Sequence, residues 1–129
     1  MRYAGADPFR RLMMSEPLLP FQTLDVYIVA KTIVRTVHVA KITDAELRDQ
    51  ATRASKSTFL CLCEGLPNEG VALRRKYFNE ANNSLHETLG AMDLAATIGA
   101  VREQDAATVQ ALGVRLKRML RGLLHSRYP

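Results

Sequence analysis

Residues 78–95 read FNEANNSLHETLGAMDLA, and this segment carries the strongest structural signal in the chain. Its apolar and small residues recur at alternating spacings of three and four: Phe78, Ala81, Leu85, Thr88, Met92 and Ala95. That spacing returns to one side of an α-helix and is typical of a helix that packs along its length against other helices. We therefore predict a long helix over residues 71–98, for which Gly99 is a suitable end.

Two further segments carry the same kind of pattern. A helix over residues 23–40 would bury Val26, Ala30, Ile33, Val37 and Ala40. A helix over residues 103–126 would bury Val109, Leu112, Leu116, Met119, Leu120 and Leu123. The alternating apolar runs between turn dipeptides that mark β-strands are missing from the sequence.

A fourth helix is predicted between these segments, with signals at both of its ends. Thr43-Asp44-Ala45-Glu46 predicts a capping box, in which Thr43 accepts from the Glu46 amide and Glu46 reaches back to Thr43. Gly65 is predicted to end the helix as a left-handed residue, and Pro67 prevents continuation. The buried stripe would contain Leu47, Ala51, Ala54, Thr58, Cys61 and Leu62.

The short connections at 41–43, 65–70 and 99–102 force sequential helices to be antiparallel. The prediction is an all-α chain: an antiparallel up-down-up-down four-helix bundle over residues 21–127. An irregular N-terminal leader over residues 1–20 would precede it, since Pro8, Pro17 and Pro20 interrupt that segment. A chain of 129 residues is long enough to bury one core.

Composition narrows the class of protein. Signal-peptide character and a run of about 20 apolar residues are both missing from the sequence, so we expect a cytoplasmic protein with no membrane partner. Cys61 and Cys63, two positions apart on a helix, would point about 200° apart and could neither bridge each other nor share a metal. We expect them to be buried, reduced thiols.

No catalytic motif is found in the sequence. A di-metal bundle needs Glu-x-x-His, but none of His38, His86 and His125 follows a glutamate at that spacing. Gly-x-Ser-x-Gly is absent too, and the seven glycines are too scattered to cradle a phosphate. We expect neither an enzyme nor a bound cofactor or metal.

Two surface features remain as candidates for binding. Leu24, Ile28 and Val39 fall on the polar side of the first helix, so they are predicted to form a subunit interface. The net charge is +5, and no acid follows Asp105. Basic helix faces are predicted to bind RNA or DNA phosphates; the candidates are Arg74, Arg75, Lys76, Arg115, Lys117, Arg118 and Arg121. The alternative is an ordinary solvated face whose cations complement the helix dipole.

Several short motifs resemble a known family. Phe21-Gln22-Thr23-Leu24-Asp25-Val26-Tyr27 is similar to the opening of the four-helix-bundle proteins encoded by intervening sequences of large-subunit ribosomal RNA genes. The second-helix signature matches at Gln50, Arg53, Ala54, Ser57 and Glu64-Gly65, and the third-helix signature at Ala81, Ser84, Leu85 and Glu87. The chain departs from the family at Cys61, where Asn is usual, and at Asn83, where Gly is usual.

The resemblance implies a pentameric ring of four-helix bundles with no established enzymatic activity. It extends to accessory proteins of diversity-generating retroelements, which are basic pentamers that bind nucleic acid and a reverse transcriptase. We therefore expect a homo-oligomeric scaffold or adaptor that contacts RNA or DNA. The alternative is an assembly module that binds only another protein. Glu64 and Glu87 are expected to pair with Arg53-type or neighbouring basic residues, inside the bundle or between subunits, and so to fix register. The alternative is a polar site at the helix ends.

Overall fold

The structure, a computed structural model, describes residues 19–125. A 3₁₀ turn at Pro20–Thr23 precedes four α-helices: α1 (Asp25–Val39), α2 (Ala45–Gly65), α3 (Val71–Thr97) and α4 (Glu103–Leu124). These residues contain no strand, so the predicted all-α four-helix bundle is confirmed. Most of the predicted leader, and the predicted end of the last helix at residue 126, lie outside the described residues.

The helices form an antiparallel bundle in chain order around the core. α1 packs on α2, α2 on α3, α3 on α4 and α4 on α1, which leaves α1–α3 and α2–α4 as the diagonal pairs. The Tyr27 and Phe59 rings join α1 to α2 with centroids 5.1 Å apart. At the opposite end of the bundle, the Thr43 amide donates to the Ala100 carbonyl at 2.8 Å and ties two connections together.

The repeat in residues 78–95 lies in the core as predicted. All six of its residues are at most 1% exposed. The predicted stripe of α1 is buried too, as are Val109, Leu116 and Leu120 of α4. α2 and α3 make the most extensive contact, and small buried side chains allow their close approach: Ala51, Ala54, Ala81 and Ala95.

The capping box predicted at the start of α2 is wrong. The N-cap is Asp44, whose Oδ1 accepts from the Leu47 amide at 2.9 Å. Thr43 lies one residue before the cap, where its amide and its hydroxyl both donate to the Ala100 carbonyl, at 2.8 and 3.3 Å. The start of α2 therefore lies one residue later than predicted.

The left-handed conformation predicted for Gly65 is also wrong. Gly65 is helical, and the helix passes into Leu66, whose amide donates to the Leu62 carbonyl at 2.9 Å. Among the described glycines, Gly99 is the one with a positive φ, 75°, and it follows α3 as predicted. Gly65 serves packing instead: a Cβ there would lie 2.8 Å from Phe78 Cε1 and 3.1 Å from Tyr77 Cβ.

Candidate functional site

The outer surface of α4 carries the predicted cations. Arg115, Lys117, Arg118 and Arg121 are all exposed, and we call them the α4 basic face. On a helix with about 100° between residues, they span an arc of about 160°. No acid follows Asp105, and the Asp105 carboxylate is itself paired with Arg102 at 3.1 Å. The face therefore presents positive charge with no acid of its own helix beside it.

The neighbouring edge of α3 extends this surface. Lys117 Nζ donates to His86 Nε2 at 2.6 Å, which joins α4 to α3. Arg75, Asn79, Asn82 and His86 recur at spacings of four, three and four, so they lie on one face of α3. Their charge is neutral or positive. The same three-and-four spacing could have shown this polar stripe in the sequence, but its direction toward α4 depends on the packing.

Arg74, Arg75 and Lys76, the cations predicted at the start of α3, point in three different directions. Arg75 is exposed on the edge just described. Arg74 points inward: its Nη1 donates to the Leu66 carbonyl at 2.8 Å and the Asn68 carbonyl at 3.3 Å. Its guanidinium also stacks on Phe78, 5.2 Å from the ring centroid. Lys76 lies 5.6 Å from the Tyr77 ring, on the α2 side of α3. This geometry favours a structural role for Arg74.

Six of the ten residues in the second- and third-helix signatures line one surface depression between α2 and α3. This polar groove has a volume of about 340 Å³ and is lined by Gln50, Arg53, Ala54, Ser57, Ser84 and Glu87. Gln50 Nε2 donates to Glu87 Oε2 at 3.1 Å, and the Ser57 and Ser84 hydroxyls lie 2.8 Å apart. In the sequence these residues belong to two separate helices; only the packing shows that they form one groove.

Within residues 19–125 neither Glu64 nor Glu87 forms an ion pair, so the pairing predicted inside the bundle is wrong, and the pairing between subunits stays a prediction. Glu87 accepts from Gln50, and Arg53 pairs with Asp49 at 3.4 Å. A hydrogen bond to Glu64 raises the pKa of the Tyr77 phenol. Glu87 connects α3 to α2 through the neutral Gln50, so its negative charge is not cancelled there.

The two cysteines are free and half-buried, rather than fully buried as predicted. Burial raises the pKa of both thiols. At Cys61 a hydrogen bond from Ser57 opposes this shift, and at Cys63 the charge of Lys31 does so. The opposing partners lie on different sides of α2, as the predicted divergence of the side chains requires.

The apolar side chains predicted as a subunit interface are on the surface of this chain. Leu24, Ile28 and Val39 are 44%, 49% and 65% exposed. With Lys31 and Arg35 they lie within an arc of about 80° on the helix, which we call the α1 outer face. Leu24 and Ile28 are one turn apart, and Val39 lies about 16 Å further along the helix, beyond Lys31 and Arg35.

Two other kinds of site are not found within residues 19–125. None of the helices in this range has the length and hydropathy to cross a membrane. The same residues contain no group of three or more His, Cys, Asp or Glu side chains placed to hold a metal ion.

Comparison with known proteins identifies a family. Residues 23–122 match the model of a family described as "23S rRNA-intervening sequence protein". That range contains α1, α2, α3 and α4 up to Gly122, together with every residue of the polar groove. Among curated proteins, none matches the chain.

Proposed function

Because this chain belongs to the family of 23S rRNA-intervening sequence proteins, we propose that it is a non-enzymatic, homo-oligomeric scaffold that binds RNA or DNA. The assembly is a pentameric ring, and the α4 basic face of each copy contacts the phosphate backbone. The role is to hold a nucleic acid, and through it or beside it another protein, rather than to transform a substrate.

The observation that carries the proposal is the surface formed by α4 from Arg115 onward and by the adjoining edge of α3 from Arg75 to His86, which contains no acid. The acids Asp93, Glu103 and Asp105 lie toward the other end of the two helices. Lys117, Arg118 and Arg121 are exposed there, with Arg75 and His86 beside them. Such a surface binds phosphates with little dependence on sequence, because the attraction comes from counterion release. Base-stacking aromatic side chains do not occur in this set, which also favours backbone contacts.

Oligomerisation makes a modest surface effective. One α4 basic face has four cations, and a ring repeats these four on every copy. Once one copy has bound a nucleic acid, binding of the same molecule by a second copy is intramolecular and therefore favoured. The exposed apolar residues of the α1 outer face support assembly, since a monomer gains nothing from leaving them in water.

The test is purification at low salt, followed by light scattering, the 260/280 nm absorbance ratio and a salt titration of binding to a fluorescent RNA. We expect a mass five times that of the chain, and RNA binding that weakens linearly in log Kd against log salt. An oligomer that ignores RNA at low salt would leave the alternative, a module that binds only protein. A monomer would overturn the proposal.

A further inference from the structure

A second surface, on the side of the bundle away from α4, has the features needed to receive the α1 outer face. Around the polar groove lie two exposed apolar residues, Leu60 and Leu94, and three acids, Glu64, Glu80 and Glu87. We call these five residues the α2–α3 outer face. Arg53, within the groove, is paired with Asp49, and Lys56 and Lys76 lie at the margins. With Asp49 included, four acids face three cations on this surface, an excess of one negative charge, and Glu64 and Glu80 lie at its Leu60 end.

The α1 outer face has the opposite charge. Lys31 and Arg35 lie between the apolar Ile28 and Val39, and the one acid of α1 is Asp25 in its first turn. Two copies joined by a two-fold contact of this face would bring Lys31 and Arg35 against themselves, which is repulsive. A contact with the α2–α3 outer face of another copy would be attractive.

The heights of these residues along the bundle follow from two contacts. Tyr27 lies level with Phe59, and Ser57 lies level with Ser84, because each pair is in direct contact. Each residue advances a helix by about 1.5 Å. In two antiparallel helices, the residue one position later on the first is therefore level with the residue one position earlier on the second. Counting from these contacts converts positions on α1 into positions on α2 and α3.

The two faces match in order and in height. Lys31, four residues after Tyr27, is level with Ser55 of α2 and hence with His86 of α3, one residue from Glu87. The same count gives three level pairs to within about 3 Å: Leu24 with Leu60, Lys31 with Glu87, and Val39 with Leu94. These three pairs run apolar, charged, apolar in the same direction. By the same count Glu80 is level with Asp25, and in the single copy Lys31 Nζ lies 5.4 Å from the centroid of the Tyr27 ring.

We propose that the α1 outer face of one copy packs on the α2–α3 outer face of the next, with all copies pointing the same way. This inference rests on the proposed homo-oligomer and names its contact. Because the two faces lie on different sides of the bundle, the contact is heterologous. Such contacts generate a ring when the rotation between copies closes and an open filament when it does not, and the proposed pentamer is the closed case. Neither face includes α4, so every α4 basic face stays open to nucleic acid.

Charge reversal tests the contact. We expect Lys31→Glu alone and Glu87→Lys alone to raise the chain concentration needed for assembly by at least roughly tenfold, since each sets like charges opposite one another. The double variant Lys31→Glu/Glu87→Lys restores opposite charges and is expected to restore assembly. Light scattering across a dilution series measures the mass, and circular dichroism checks that each variant is folded.

Arg118→Glu is the matched control, because it makes the same change of charge on α4, outside both faces. It should leave the mass unchanged. If the wild-type chain assembles and the Lys31→Glu and Glu87→Lys variants have the same mass, this contact is wrong, but the proposed oligomer is not contradicted. A double variant that stays dissociated would overturn it as well. A wild-type monomer would instead overturn the proposed function.

Discussion

Gly65 of α2 lies directly against the ring of Phe78 of α3, so that a Cβ atom at position 65 would be 2.8 Å from Phe78 Cε1. Phe78 is 1% exposed and cannot move aside without disturbing the core. The absence of a side chain at position 65 thus sets how closely α2 and α3 approach. This approach also places the hydroxyls of Ser57 and Ser84 within hydrogen-bond distance, 2.8 Å.

Gly65→Ala should therefore lower the free energy of unfolding by about 1–3 kcal/mol, the usual cost of overpacking a core. Gly90→Ala is the matched control, since Gly90 is a helical glycine with no atom within 4 Å of its added Cβ. There alanine should add about 0.5–1 kcal/mol. Urea denaturation of both variants measures these opposite changes in the free energy of unfolding. Equal changes in the two variants would contradict the packing role of Gly65.

Substitutions at Arg74 and Arg75 should have different effects, with Arg74 contributing to stability and Arg75 to RNA binding. Arg74→Ala removes the donor to the Leu66 and Asn68 carbonyls and should cost about 1–3 kcal/mol of stability. Arg75→Ala removes an exposed side chain, so its stability should change by no more than about 0.5 kcal/mol. RNA binding should weaken for Arg75→Ala, and an equal loss of stability in both variants would argue against the assignment.

The α4 basic face should dominate the salt dependence of nucleic-acid binding. Arg118→Ala/Arg121→Ala should weaken RNA binding and lower the slope of log Kd against log salt by about 1 for each phosphate that is no longer bound. Fluorescence anisotropy at several salt concentrations gives that slope. Lys41→Ala, which removes an exposed cation from the connection between α1 and α2, is the control and should leave the slope unchanged.

The start of α2 can be tested by two single substitutions. Asp44→Ala should cost about 1 kcal/mol, because it removes the acceptor of the Leu47 amide. Thr43→Val keeps the amide bond to Ala100 and removes only a hydroxyl hydrogen bond of 3.3 Å, so it should cost less. Thermal unfolding would show the reverse order if Thr43 were the cap.

The Cys61 thiol should lose its proton at a higher pH than an ordinary thiol. Burial raises its pKa above the ordinary 9.0, and the hydrogen bond from Ser57 lowers it in part. In a Cys63→Ser background, the midpoint pH of iodoacetamide alkylation should lie above 9.0, and Ser57→Ala should move it higher still. A midpoint that falls in Ser57→Ala would contradict the role of that hydroxyl.

The same shift has a consequence for stability. An unfolded thiol loses its proton at lower pH than the folded one, so above the ordinary value the native state binds more protons. Stability from this source is complete below pH 9.0 and is lost as the pH rises through the folded pKa. Cys61→Ala should flatten that loss in denaturation curves taken across alkaline pH.

The number of helices, their approximate limits and the residues that face the core could all be predicted from the sequence. These features depend on a period of 3.6 residues and on local end signals, so one segment contains all that is needed. The surplus apolar residues of α1 and the cations of α4 could be read in the same way.

Everything that depends on which helices are neighbours, and at what height, required the packed structure. Packing turned Arg74 toward a loop, gave Lys117 a partner in His86, and joined Thr43 to Ala100 across two connections. It also joined Gln50 to Glu87 across two helices to make the polar groove. Such contacts join residues far apart in the chain, and helical periodicity fixes the direction of a side chain but not what lies opposite it.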